Sequence, residues 1–340
     1  MTAIVVIETA NLDNIVEISS NSSRTGGSRL GLSKSDKVTI IDLLYGLMMR
    51  SGNDAAVALA ENIGGNVENF ALMMNKKAQE LNLSNTHFVT PHGLDSENHY
   101  TTALDLAVLS DYALKNELFS KIVNTKTHVI SINGKSKTIT NTNELLGNFE
   151  GIYGVKTGFT NGANRCLVTS CKRGDLDFIC VVLGCDTKKD RTMDTIKLLN
   201  YSFNNFSILN AKEFILNQFN EWKYSHNNSF FINKGKKQTL NLYLDDNDFS
   251  FTNIAVNTQK KDKLNVEISF NSYFDAPLVK SSKIGTLQFS IDNKTYYSMD
   301  ILNNNEIIKK NIFDYMSFIF KDFVLLFTPK NSSITHIELF

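Results

Sequence analysis

The chain has 340 residues, 42% of them apolar and 10% aromatic, which is enough for two cored domains and excludes general disorder. Its 35 basic residues balance 35 acidic ones, so it lacks the basic field that neutralises a run of phosphates, and nucleic acid is excluded as the natural partner. The four cysteines show no Cys-x-x-Cys spacing and the six histidines no paired-ligand spacing, so no metal or other cofactor is assigned.

The chain opens on an apolar run, MTAIVVIE, with no capping residue before it and no basic leader, the first Lys or Arg being Arg24. That run reads as the interior of an element. Thr39 then caps a helix with Ile40, Leu43, Leu44, Leu47 and Met48 on one face and Asp42 as capping-box partner, stopping near Arg50. A second helix starts just past Asn53 and ends on Gly64 and Gly65, and a third, over 66–83, gathers Phe70, Met73, Met74, Ala78 and Leu81.

After the turn-rich stretch THFVTPHGLD come a helix over 101–114, a hairpin around Asn133 and Gly134, and the strands CLVTSC and LDFICVVLGC. Cys166, Cys171, Cys180 and Cys185 sit in or beside those apolar runs and are expected to be small buried thiols. A helix over 190–203 closes the region. Helices segregated around a mostly antiparallel sheet make an α+β domain over residues 1–205.

Beyond a short connecting segment, QTLNLYLDD, KLNVEISFNSYF, IGTLQFSID and TYYSMDIL alternate with period two, predicting a small all-β domain over 206–302. Over 306–327 the helix period returns, with Lys310, Asp314, Ser317 and Lys321 on a narrow face and Ile312, Phe313, Met316, Ile319, Phe320, Phe323 and Val324 over the rest. Its charges argue against a bilayer span. Two placements remain, an amphipathic helix in a membrane interface or a helix packed on the β-domain, followed by a tail over 328–340.

Ser51, Gly52 and Asn53 break the chain between two helices, and taken alone they are ordinary turn residues. Lys156, Thr157 and Gly158 in GVKTGFT bring a cation, a hydroxyl and a glycine into strand-like sequence. That is either a solvent-facing edge lysine or a carboxylate pocket beside which a substrate backbone can lie. Together, Ser-Gly-Asn followed about a hundred residues later by Lys-Thr-Gly are the second and third parts of the set carried by penicillin-recognising serine enzymes, whose first part is Ser-x-x-Lys.

With LLYGLMMRSGNDAAVALAE, THFVTPHGLD, NTNELLGNFEGIYGVKTGFTNGANRCLV and the helix after LGCDTKKDRTMD, the chain resembles the serine-type D-alanyl-D-alanine carboxypeptidases, the low-molecular-mass penicillin-binding proteins. The likeness extends over APLVKSSKIGTL and the terminal amphipathic helix, nearly the whole chain. It implies a penicillin-binding, β-lactamase-like transpeptidase fold followed by a β-domain and a membrane-associating helix. The implied activity is removal of the terminal D-Ala of the peptidoglycan stem pentapeptide through a serine acyl-enzyme, without cofactor, at the extracytoplasmic face of the bacterial cytoplasmic membrane.

By the same resemblance Ser51 relays a proton toward the leaving amine, and Asn53 holds the substrate amide and orients the catalytic lysine. Lys156, Thr157 and Gly158 form the carboxylate grip, Phe159 supplies an oxyanion-hole N–H, and Arg191 supports the carboxylate end. Ser-x-x-Lys in that family heads the helix whose continuation reads like MTAIVVIE, so the sequence is expected to begin just after the catalytic lysine, with nucleophile, leader and first strands upstream. A start codon read too late, an interrupted gene or an inactive product would each give that beginning. No Ser among the 340 residues is followed three positions later by Lys. Two functions are therefore expected: the carboxypeptidase, inhibited by β-lactams once a nucleophile is present, or a non-catalytic muropeptide- or wall-binding homologue. A β-lactamase fits less well, because such enzymes usually lack the β-domain and terminal helix.

Overall fold

Thr39 caps the helix Ile40–Arg50 by accepting the Asp42 N–H at 3.3 Å. The Asp42 carboxylate does not complete a capping box; it accepts the Ser131 N–H at 3.1 Å and so ties the helix to the Asn133 hairpin. These features come from a computed structural model that describes residues 1–226, 229–249 and 252–327. Two units divide the chain, Met1–Asn205 and Phe206–Phe340.

In the first unit the helices Thr2–Thr9, Ser20–Arg24, Ile40–Arg50, Asn53–Gly64, Val67–Glu80, Ala103–Leu114 and Glu117–Val123 precede most of the strands. The apolar faces read from the sequence meet in one core, where Ile4, Leu43, Leu44, Met49, Leu59, Phe70, Met74 and Ile122 are almost fully buried. Each such side chain contributes roughly 1.5–3 kcal/mol. Asn133 and Gly134, both with positive φ, make the two-residue turn between Thr127–Ile132 and Lys135–Thr140.

The strands Ile152–Thr160, Asn164–Arg173 and Leu176–Cys185 form an antiparallel sheet in that order, leaving Ile152–Thr160 at its edge. Val155 and Val168 face the helical core, whereas Leu167, Cys171, Cys180 and Val182 face the other way, against Leu199 of the helix Lys188–Asn205. Burial on both faces explains why these strands read as continuous apolar runs. One expectation is corrected here. Cys171 and Cys180 are buried free thiols, but Cys166 and Cys185, at the end of the sheet where the register shifts, are only half-buried.

The second unit opens on the strand Phe206–Asn210 and the helix Ala211–Ser225, where only a short connecting segment is expected, and the β-domain follows them. Asn210 caps the helix by accepting the Glu213 N–H, and Ala211, Ile215 and Phe219 are its buried stripe, a pattern diluted in the sequence by surrounding Asn, Gln and Glu. The central antiparallel sheet runs Leu242–Leu244, Lys294–Asn303, Lys283–Ile291, Leu264–Phe270 in space, with Leu287, Phe289, Met299 and Ile301 inward.

The terminal helix is shorter than its periodicity suggests, spanning Ile312–Phe327. Before it, Ile307 is buried and bridges Leu278, while Lys309 bridges Gly235, so backbone pairing holds this stretch extended and takes Lys310 off the helix. Ile312, Phe313, Met316, Ile319, Phe320 and Phe323 are each more than half exposed, against the packed alternative for this face. The side chains of Lys321 and Val324, and the tail over 328–340, lie outside the described residues. No described helix is long and apolar enough to cross a membrane.

Candidate active site

The helix Ile40–Arg50 ends on Ser51, whose left-handed backbone (φ 54°, ψ 40°) turns the chain directly into the helix Asn53–Gly64. Few non-glycine residues adopt that conformation; here the Ser51 and Gly52 amides both donate to the Gly46 carbonyl and hold it. The turn brings the Ser51 hydroxyl to the edge strand Ile152–Thr160, where the Lys156 ammonium donates to Ser51 Oγ and, at 2.8 Å, to the Thr157 carbonyl. Asn53 starts its helix 6% exposed, its side-chain amide donating to the Gly26 carbonyl at 2.8 Å. Its Oδ1 makes no hydrogen bond among the described residues and is the atom left for a ligand N–H.

Thr157 Oγ1 lies 2.8 Å from Thr142 Oγ1. A Cβ on Gly158 would meet only Cys166 Cβ at 3.4 Å, an ordinary contact, so packing does not require glycine there; its absent side chain keeps the strand edge open. Phe159 is half-exposed beneath the Arg165 guanidinium, 3.6 Å from its ring centre. From the first turn of the helix Lys188–Asn205, Arg191 is 4% exposed with its Nε unpartnered. Ser51, Asn53, Lys156, Thr157, Gly158, Phe159 and Arg191 all line one groove of about 810 Å³.

Lys156 stands between this groove and a smaller apolar cavity of about 310 Å³ lined by Leu47, Met48, Phe88 and Leu109. Desolvation there, then the nearby charge of Arg191, pulls the ammonium down to about 8. Among the described residues neither cation is ion-paired. Asp95, also in the groove, is committed to the turn between the strands Ile152–Thr160 and Asn164–Arg173: it bonds to Thr160 and accepts the Gly162 N–H at 3.0 Å, which hold its carboxyl below the usual range. Two cations and a hydroxyl at one end of a groove are groups able to hold an anion.

Three supporting residues escaped the sequence reading. Asp54 is fully buried and accepts the N–H groups of Leu30, Gly31 and Leu32 at 2.8, 2.8 and 3.0 Å, pinning the loop against which Asn53 docks. His92 in THFVTPHGLD and His99 just after it are held below the usual histidine range by burial, then by a neighbouring histidine. As neutral rings they accept from Leu94 N–H and from Val89 and Thr90 N–H. Only His92 had a hint in the sequence, the Pro-His-Gly-Leu-Asp turn. No group of three His, Cys, Asp or Glu side chains able to hold a metal occurs among the described residues.

Residues 1–187, more than half of the chain, match the family model described as D-alanyl-D-alanine carboxypeptidase. The chain belongs to the D-alanyl-D-alanine carboxypeptidase family. Residues 224–309 match the C-terminal domain of penicillin-binding protein 5. The carboxypeptidase DacF of Bacillus subtilis is 30% identical over 328 residues, covering 93% of this chain and 80% of the relative. The solved carboxypeptidase DacD of Francisella tularensis superposes with a TM-score of 0.69 at 26% identity, covering 91% of this chain and 86% of that one. Penicillin-binding protein 5 of Haemophilus influenzae superposes with a TM-score of 0.67 at 28% identity, covering 91% and 88%. The function is accordingly that of a serine-type D-alanyl-D-alanine carboxypeptidase, a peptidoglycan hydrolase of the penicillin-binding class with the mixed α and β fold of that family.

Proposed function

We propose that the groove seats the C-terminal D-Ala of a stem peptide with its carboxylate between Lys156, Thr157 and Arg191 and its backbone along the open edge at Gly158. Asn53 Oδ1 receives a substrate N–H, Phe159 N–H faces the scissile carbonyl oxygen, and the contact between Ser51 and Lys156 carries the proton toward the leaving amine. The single observation behind this reading is the pair of unpaired cations, Lys156 and Arg191, one with an unpartnered buried Nε.

Acyl transfer also needs a nucleophilic serine with an adjacent base. No Ser-x-x-Lys occurs in the 340 residues, so these residues by themselves are proposed to bind the stem peptide, and acylation to need a segment that carries that motif. A fluorescent penicillin tests this. The expected result is no covalent label on the 340-residue chain and labelling once a segment carrying Ser-x-x-Lys is fused ahead of Met1. Labelling of the chain as it stands, at any serine, contradicts the assignment.

The proposal also lays the helix Ile312–Phe327 in a membrane interface, with the protein on the extracytoplasmic face. Its exposed Ile, Phe and Met side chains support this, since burying such a face is worth several kcal/mol at about 25 cal/mol per Å².

A further inference from the structure

Five lysines held in two separate runs of sequence meet at the base of the terminal helix. Lys234, Lys236 and Lys237 follow the strand Phe231–Asn233, whereas Lys309 and Lys310 precede the helix Ile312–Phe327. An antiparallel bridge joins Gly235 to Lys309, the Lys310 amide donates to the Lys234 carbonyl at 2.7 Å, and the Lys236 amide donates to the Ile308 carbonyl at 3.0 Å. Glycine permits the approach: a Cβ on Gly235 would lie 2.7 Å from Ile232 Cγ2 and 3.2 Å from Ile307 Cγ2.

Lys234, Lys236, Lys237 and Lys309 are exposed and Lys310 is half-buried, its ammonium 5.8 Å from the Tyr315 ring centre. The carboxylates on these two runs and the first helical turn are Glu306 and Asp314. Asp314 is already engaged, accepting the Asn311 N–H at 2.8 Å and the Lys236 ammonium at 3.0 Å, contacts that hold it below the usual range. Positive charge therefore predominates locally in a chain whose overall charge is balanced. Exposed Ile308, Ile312 and Phe313 stand among these cations.

We propose that this lysine collar binds the headgroups of anionic phospholipids, so that the protein prefers acidic bilayers. The inference rests on the interfacial reading of the helix and names the lipid it selects. Cations and apolar side chains at one level match the boundary between phosphate and acyl chain. An anionic wall polymer would meet the lysines but gain nothing from Ile308, Ile312 and Phe313, and this favours the bilayer.

The test is flotation of the full chain with vesicles of phosphatidylcholine alone or mixed with phosphatidylglycerol. A lysine close to an acidic surface is worth a factor of about five in partition. The variant Lys234→Gln/Lys237→Gln/Lys309→Gln, which spares Lys236 and Lys310 because they have partners in the fold, should lose at least about tenfold on acidic vesicles and nothing on neutral ones. Raising the salt should bring the parent chain on acidic vesicles down to its neutral-vesicle level. Equal loss on both lipids, or no loss on either, overturns the collar while leaving the helix in place. Failure of the parent to float with either vesicle overturns the interfacial reading and the collar with it. A variant that keeps its acidic-vesicle partition but no longer co-sediments with polyglycerol phosphate also overturns the proposal, by assigning the lysines to a wall polymer.

Discussion

Lys156 and the lysines around Lys309 carry the same ammonium into opposite surroundings. In the groove, one cation is fixed by Ser51 and the Thr157 carbonyl, robbed of water and pulled down to about 8 beside Arg191. At the base of the terminal helix, four exposed lysines and one half-buried one stand on two stitched backbone runs. Desolvation turns a single charge into a specific partner for one ligand group, whereas solvated charges act through their summed field. The first arrangement depends on the exact seat of one buried cation, the second on the number of exposed ones.

That dependence sets the largest expected effect. Asp54→Ala leaves the amides of Leu30, Gly31 and Leu32 without their acceptor and should cost about 3–5 kcal/mol, read as a lowered melting temperature. Lys309→Gln should leave melting unchanged; a comparable loss there would break the contrast. Next, Lys156→Ala should weaken binding of a D-Ala-D-Ala-terminated peptide by about 2–3 kcal/mol in calorimetric titration, leaving melting unchanged or higher because Arg191 loses a like-charged neighbour.

The pH profile sharpens the same point. Lys156 is cationic below about 8 and neutral above it, so carboxylate binding should be flat at lower pH and fall as pH rises through 8, about tenfold weaker at pH 9 than at pH 7. A flat profile across that window would mean that the ammonium is not the grip. Smallest is the effect of one collar lysine: Lys309→Gln should reduce partition onto acidic vesicles about fivefold, and only at low salt.

The parts of the molecule legible in sequence are those in which local pattern and final surroundings agree. Thr39, the apolar stripe of Ile40–Arg50, the Asn133–Gly134 turn and the Ser-Gly-Asn and Lys-Thr-Gly motifs announce themselves because caps, periods and turns are local. Asp54 does not, since nothing in Ser-Gly-Asn-Asp says that its one acid accepts three amides from a loop over twenty residues earlier. The helix Ala211–Ser225 is hidden by polar residues that dilute its stripe, and the true start of the terminal helix is set by bridges to Gly235 and Leu278, which periodicity cannot see. The lysine collar is invisible for the same reason: its two halves are adjacent only after folding.

The carboxylate site proposed at Lys156 and Arg191 is tested most directly by one titration of the 340-residue chain at pH 7 with two ligands, an N-acylated D-Ala-D-Ala peptide and its C-terminal carboxamide. The free acid should bind and the carboxamide should bind at least about tenfold more weakly, a difference that disappears in Lys156→Ala. Equal affinity for acid and amide in the unaltered chain would mean that Lys156 and Arg191 do not hold the carboxylate.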